Sequence, residues 1–195
     1  MLMSFAWMRL RTACYGFLTT ALLVCSVTSH AQALPPVQTI ASLDVPRYMG
    51  TWFELAKFPN VFQRKCVSNT RAVYTLNVDN TVQVLNRCRI QDGSTIEALG
   101  QAKQIGNATS PVLKVRFAPE WLGWLPLVWG DYWVIDLDDQ YQLAAVSDAK
   151  REYLWVLSRS PKIDQTRYAA LLQRLQQQGF DVDKLEVTTH DAPTR

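Results

Sequence analysis

Histidine and cysteine most often supply nucleophilic or metal chemistry, and this chain contains two histidines and four cysteines. His30 lies in an N-terminal segment that we expect to be removed. A Ser-His-Asp, Cys-His or zinc site would therefore have to use His190. His190 stands close to the chain end, where proteins commonly fray. These positions argue against the common hydrolases, and the sequence predicts no metal site and no cofactor.

Glu54 is the carboxylate best placed for chemistry, because it stands in the apolar run GTWFELAKF of residues 50–58. Side chains alternate along a strand, so Glu54 shares a face with Trp52. A buried carboxylate must be hydrogen-bonded, paired or protonated. The sequence favours a hydrogen bond from an inward tyrosine or Asn86 to Glu54. Contact between Glu54 and the polar head group of a ligand is the alternative.

The first 33 residues have the three parts of a secretory signal peptide. Arg9 and Arg11 form the positive region, residues 15–27 form the apolar region, and Ala31-Gln32-Ala33 form the cleavage site. The apolar run is shorter than the ~20 residues that span a bilayer. We therefore predict an exported protein.

The predicted cleavage follows Ala33. Lipidation at Cys25 is the alternative, although Leu23-Val24 precede this cysteine where a small residue is expected. The exported chain then divides into a lead-in at 34–42, one folded domain at 43–190 and a tail at 191–195.

Removal of residues 1–33 lowers the formal net charge from +3 to +1, because two arginines and no acidic residue leave. This charge is too small to predict a nucleic-acid partner. Cys66 and Cys88 remain, and two cysteines in an exported chain most simply form one disulfide. Such a bridge would stabilise the fold by about 3 kcal/mol. Free thiols or a metal-binding pair are the alternatives.

Short alternating apolar and polar runs, separated by turn residues, fill residues 50–159. We count eight such strands, and most connections have hairpin length, so neighbours should pair antiparallel. The sequence thus predicts an all-β fold, an eight-stranded antiparallel up-and-down β-barrel. One helix should begin after Asp164, end at Gly179 and pack on the barrel wall. A last short strand is predicted at 185–189.

Three motifs stand along this strand series: GTW at 50–52, D-x-x-Y from Asp138 to Tyr141, and LSR at 157–159. Together with stretches such as AVYTLNVDNTVQVLNRCR, they resemble lipocalins, and in particular bacterial lipocalins and apolipoprotein D-like proteins. The resemblance covers residues 43–187. The second motif, DLDDQY, departs from the T-D-Y-x-x-Y pattern of the family, so the hydrogen bonding of that turn is not predicted.

The resemblance implies a structural role for four residues at the closed end of the barrel. Trp52 would plug this end, Arg159 would lie across its ring, and Gly50 and Tyr141 would lie beside them. A cation over an indole ring contributes roughly 0.5–2 kcal/mol.

The resemblance also implies non-catalytic binding, storage or transport of fatty acids or lysophospholipids. The expected place is the periplasm, in association with the outer membrane, where the protein would support membrane maintenance. An enzyme on the same fold is the alternative and would use Glu54 or an interior tyrosine as general acid. A haem or pigment binder would need an interior histidine as axial ligand, and none is available.

Strand alternation predicts which side chains face the barrel interior, where a ligand would lie. A core filled by its own side chains is the alternative. The predicted ligand-binding residues are Glu54, Ala56, Phe58, Ala72, Tyr74, Val84, Asn86, Ala98, Val115, Phe117, Tyr132, Val134, Tyr153 and Trp155.

The segment PEWLGWLPLVWG, residues 119–130, is an unusually apolar connection between the fifth and sixth strands. Topology places it at the open mouth, where Trp121, Trp124 and Trp129 would form a portal loop. Tryptophan favours the boundary between membrane and water. Contact with a membrane surface or an entering lipid is therefore predicted. Packing of the loop on its own barrel and formation of a homodimer rather than a monomer are the alternatives.

Overall fold

The computed structural model describes residues 34–191. The predicted signal peptide and the last four residues of the predicted tail lie outside the described residues. The strands are β1 Gly50–Lys57, β2 Cys66–Leu76, β3 Val82–Ile90, β4 Thr95–Gln104, β5 Val112–Arg116, β6 Gly130–Leu137, β7 Leu143–Ser147, β8 Leu154–Ser158 and β9 Glu186–Val187. The helices are α1 Val45–Tyr48 and α2 Gln165–Gln177.

Strands β1 to β8 pair antiparallel with their sequence neighbours, and β8 and β2 both pair with β1, which closes the barrel. The predicted fold class is confirmed. We call the end where β1 begins the closed end. The opposite end, with the loops at 58–65, 91–94, 117–129 and 148–153, is the mouth.

Helix α1 is a feature that the sequence analysis did not predict. The Asp44 side chain accepts a hydrogen bond from the Arg47 backbone N–H, and Pro46 lies in the first turn. Four residues are too few to show a helical period, so only this cap signals the helix. Its last residue, Tyr48, is buried in the barrel interior.

The prediction that Ala56 and Phe58 face the interior is wrong because β1 has a β-bulge at Leu55. Glu54 pairs with Leu157 and Ala56 pairs with the adjacent Val156, so the side chains after Glu54 point to the opposite face of the sheet from the one that strict alternation predicts. Ala56 and Phe58 consequently pack in the cluster under helix α2 and not in the barrel interior.

Helix α2 covers the outer wall of the barrel as predicted. Asp164 caps it through a hydrogen bond from the Arg167 backbone N–H, and Leu171 and Leu175 are fully buried against the wall. Gly179 follows the helix with φ +83°, a conformation that favours glycine. Within residues 34–191, neither helix is long and apolar enough to cross a membrane.

A disulfide and a short strand pairing connect parts of the chain in the mouth half of the barrel. Cys66 and Cys88 form the predicted disulfide between β2 and β3, with their Cα atoms 5.5 Å apart. Strand β9 pairs with β1 opposite Ala56 and Lys57, beyond the part of β1 that pairs with β2. It is shorter than the predicted strand at 185–189.

Candidate functional site

The closed end is built around Trp52, which is completely buried. The Arg159 guanidinium carbon lies 3.9 Å from the centre of the indole ring. Trp52 Nε1 donates to the Tyr48 carbonyl at 2.8 Å. Arg159 donates to the carbonyls of Thr51 at 2.9 Å and of Tyr48 at 3.1 Å. The cation therefore stacks on the plug and also satisfies backbone acceptors around it.

Gly50 and Tyr141 complete this end of the barrel. Gly50 has φ +93°, and a Cβ there would lie 3.3 Å from an Arg159 nitrogen. The Tyr141 hydroxyl accepts a hydrogen bond from the Asp44 N–H at 3.1 Å, and Arg47 stacks 4.1 Å from its ring centre. The structure thus brings together all four residues assigned to the closed end, despite the altered second motif.

Three tyrosines lie in the interior next to the plug. The Tyr132 hydroxyl is 3.0 Å from the hydroxyls of both Tyr48 and Tyr74. The Tyr48 and Trp52 rings are 4.8 Å apart, so these tyrosines form the floor above the plug. Burial raises the pKa of all three hydroxyls, that of Tyr74 to about 12. They therefore remain protonated at neutral pH. We call Tyr48, Tyr74 and Tyr132 the tyrosine floor.

The predicted interior residues divide into a packed set and an accessible set. Ala72, Tyr74, Val84 and Val134 are buried in the interior cluster. Others face the same interior but keep accessible surface, and they lie nearer the mouth or on the floor. This accessible set contains Asn86, Ala98, Val115, Tyr132 and Trp155.

The barrel wall is incomplete beside Ala98. Strand β5 pairs with β4 only along Gln101–Gln104, so Ala98 lies beyond the end of β5 and is exposed although it shares the inward face of Asn86. Phe117 follows the end of β5. A Cβ on Gly100 would lie 2.7 Å from its ring, which shows how closely the ring packs there. Phe117 is 45% exposed, so it lies on the rim of the mouth and not deep in the barrel.

Tyr153 and Trp155 line the mouth from the opposite wall. Their rings stack with centres 5.6 Å apart, and Phe62 of the 58–65 loop lies 5.6 Å from Tyr153. The mouth therefore combines aromatic side chains from separate parts of the chain.

Glu54 is buried but has neither predicted partner. Its carboxylate accepts hydrogen bonds from Gln63 Nε2 and from Thr188 Oγ1, each at 2.6 Å. Gln63 Oε1 in turn accepts from Trp155 Nε1 at 2.9 Å. Burial raises the pKa of Glu54. Gln63 comes from a mouth loop and Thr188 from the segment after β9, and no local sequence signal connects either residue to Glu54.

The tryptophans of segment 119–130 lie in two environments, solvent and the barrel wall. Trp121 and Trp124 are 73% and 77% exposed. Trp129 instead packs on the outer wall, with Lys103 Nζ 4.4 Å and the Arg116 guanidinium carbon 5.3 Å from its ring centre. The assignment of Trp129 to the portal is therefore corrected: its place just before β6 gives it the outward face.

A second apolar group at the mouth was missed by the sequence analysis. Val61 and Phe62 are 56% and 72% exposed, and Arg64 and Lys65 beside them are exposed as well. The stretch VFQRK, residues 61–65, has no sequence pattern that predicts an exposed apolar surface, and its position at the mouth reveals it.

The barrel with its plugged end matches a known protein family. A family model described as a lipocalin-like domain matches residues 43–190. The chain belongs to the lipocalin family. This lipocalin is 40% identical over 154 residues to temperature-induced lipocalin-1 of Arabidopsis thaliana, covering 78% of this chain and 82% of that protein.

A bacterial relative is similar over an even longer stretch. The outer membrane lipoprotein Blc of Escherichia coli K12 is 35% identical over 169 residues, which cover 85% of this lipocalin and 89% of Blc. Among solved structures, insecticyanin of the tobacco hornworm Manduca sexta superposes with a TM-score of 0.62 at 18% identity, covering 82% of this chain and 87% of insecticyanin. At that identity the superposition shows the shared fold.

Proposed function

We propose that this lipocalin is a non-catalytic carrier that binds an amphiphilic lipid, a fatty acid or a lysophospholipid, in its barrel. The observation that carries the proposal is the accessible inward surface of the mouth half, from Tyr132 on the floor to Ala98 at the rim. An acyl chain would bury apolar surface there at about 25 cal/mol per Å². Binding of small hydrophobic ligands is the common activity of lipocalins.

The hydrogen bonding of the interior supports binding rather than catalysis. Both Glu54 carboxylate oxygens accept hydrogen bonds from protein side chains. The three floor tyrosines have raised pKa values, which makes them poor proton donors and acceptors for catalysis near neutral pH. The tyrosine hydroxyls are suited to hydrogen-bond a ligand, and the Glu54 carboxylate already has protein partners.

We place the carrier in the bacterial envelope, in the periplasm and in association with the outer membrane. The name of the bacterial relative, outer membrane lipoprotein, supports this location. The apolar residues Trp121, Trp124, Val61 and Phe62, which are exposed at the mouth, support contact with a membrane surface during lipid exchange.

Native mass spectrometry of the protein purified from its own envelope tests the proposal. We expect one lipid per chain, together with the mass of a chain that begins at Leu34. Added fatty acid or lysophospholipid should quench tryptophan emission and be recovered chemically unchanged. Absence of both a lipid adduct and quenching would contradict the carrier function, and recovery of an altered lipid would favour the enzyme alternative.

A further inference from the structure

The tyrosine floor has more hydrogen-bond donors than the protein uses. Each phenol hydroxyl donates one hydrogen bond and accepts up to two. Tyr48, Tyr74 and Tyr132 bring three protons to two hydroxyl–hydroxyl contacts. Among the described residues, these hydroxyls have no further side-chain or backbone partner. One O–H is therefore left over in every arrangement of the three protons.

The surplus proton is best placed on Tyr132. The Tyr132 oxygen lies 3.0 Å from each of the other two hydroxyls, and either atom of each contact can be the donor. In the arrangement in which Tyr132 accepts from both, its own proton is free for a ligand. Tyr48 and Tyr74 are 3% and 7% exposed, whereas Tyr132 keeps more accessible surface and faces the interior. A buried donor without an acceptor is costly, which favours a ligand that supplies one.

One cation close to the floor, Arg159, favours an anionic acceptor there. The Arg159 guanidinium acts electrostatically on all three floor hydroxyls from behind the plug. Glu54 is the carboxyl group with an opposing influence on Tyr74, and its influence is smaller than that of Arg159. The Glu54 oxygens are also held by Gln63 and Thr188. Burial is the largest influence on the pKa of all three hydroxyls and disfavours negative charge, and the Arg159 charge offsets part of this effect at Tyr48 and Tyr74.

We propose that the tyrosine floor is a recognition site for the carboxyl group of a fatty acid, which binds with its head at the closed end and its acyl chain toward the mouth. This proposal rests on the proposed function and adds the orientation and head-group chemistry of the ligand. The Tyr132 hydroxyl donates to the carboxyl oxygen, and the acyl chain lies against the apolar walls up to Trp155 and Ala98.

Tyrosine-to-phenylalanine variants test the donor. Tyr132→Phe should weaken palmitate binding by about tenfold, the cost of one hydrogen bond to a charged group. Tyr74→Phe should cost less, because Tyr132 keeps its free proton. Tyr168→Phe, on helix α2 outside the barrel interior, is the matched control and should bind like the parent. N-phenyl-1-naphthylamine, a fluorophore without a carboxyl group, should bind all four proteins within about twofold.

The orientation is tested on the parent protein, independently of any variant. In the complex, the carboxyl carbon resonance of palmitate labelled with carbon-13 at that position should titrate at a clearly different pH from the free acid, because burial and hydrogen bonding change the pKa of the head group. A resonance that titrates like the free acid, or equal palmitate affinity for Tyr132→Phe and the parent, would overturn the head-in site while leaving a lipid carrier. Failure of the parent to bind palmitate or any other lipid would overturn both proposals.

Discussion

The two ends of the barrel are built from similar residue types used in opposite ways. At the closed end, Trp52 is completely buried and Arg159 stacks on it while donating to backbone carbonyls. At the mouth, Trp121 and Trp124 are largely exposed, and the arginine and lysine beside Phe62 face solvent. The contrast indicates that one end maintains the fold and the other is free to exchange a ligand.

The carboxyl and hydroxyl groups lie between these two ends. Glu54 links a mouth loop to the segment after β9, and the tyrosine floor separates the plug from the accessible interior. Substitutions in the plug, on the far side of the tyrosine floor from the accessible interior, should therefore change stability more than affinity. Substitutions toward the mouth should do the reverse, and the following predictions test this separation.

The largest expected effect is on stability at the plug. Trp52→Ala should lower the free energy of unfolding by about 3–5 kcal/mol, because it leaves a cavity in a fully buried site. Trp124→Ala at the exposed mouth should change it by only about 0.5 kcal/mol. Urea unfolding followed by circular dichroism measures both, and equal losses would contradict the assignment of the closed end.

Arg159→Ala should lower the free energy of unfolding by roughly 1–3 kcal/mol, since it uncovers Trp52 and leaves backbone carbonyls without donors. Arg167→Ala is the matched control. It removes a partly exposed arginine whose ion pair with Asp138 is worth under about 1 kcal/mol. Affinity per folded molecule for a ligand without a carboxyl group, such as N-phenyl-1-naphthylamine, should stay constant in both variants. A large affinity loss at unchanged stability would mean that the two ends are reversed.

The mouth should control the rate of lipid transfer. The double change Trp121→Ser, Trp124→Ser should slow transfer from vesicles by about tenfold, because the two exposed indoles together lose about 1.4 kcal/mol of membrane contact. Affinity in solution should change little. Val78→Ser, which replaces an exposed apolar residue at the closed end, is the control. Equal transfer rates for the double variant and the parent would exclude the membrane portal.

The smallest effect concerns the pH dependence of stability at Glu54. Burial raises the pKa of this carboxyl group in the folded state, so its contribution to stability is complete below the unfolded pKa and is lost as the pH rises through the folded pKa. Glu54→Gln has no such titration. In urea unfolding, the free energy of unfolding of the variant should equal that of the parent below about pH 4. As the pH rises, the variant should become slightly more stable than the parent. A difference that does not depend on pH would contradict this.

The sequence was sufficient for features that depend on local pattern. Strand alternation, hairpin turns, the Asp164 cap and the cysteine pair predicted the barrel, the helix and the disulfide. The resemblance to lipocalins located Trp52 and Arg159. Each of these features can be predicted from a short stretch of residues or from a family motif.

The failures have a different physical origin. The bulge at Leu55 moved Ala56 and Phe58 to the helix side, and the run FELAKF is apolar enough for either face to be buried. Gln63 and Thr188 reach Glu54 from distant parts of the chain. Such contacts depend on how loops and strand ends are arranged in space, and the alternation of apolar and polar residues along a strand does not predict this arrangement.

The central claim is that the mouth half of the barrel holds the lipid, and a pair of neighbouring substitutions tests it most directly. Ala98 faces the interior, whereas Leu99 beside it has the opposite orientation and is 62% exposed. Ala98→Trp fills the interior and should weaken fatty-acid or lysophospholipid binding by more than about tenfold, while Leu99→Trp should bind like the parent. Both variants should keep the unfolding midpoint of the parent. Normal lipid binding by a folded Ala98→Trp protein would show that the lipid is bound elsewhere.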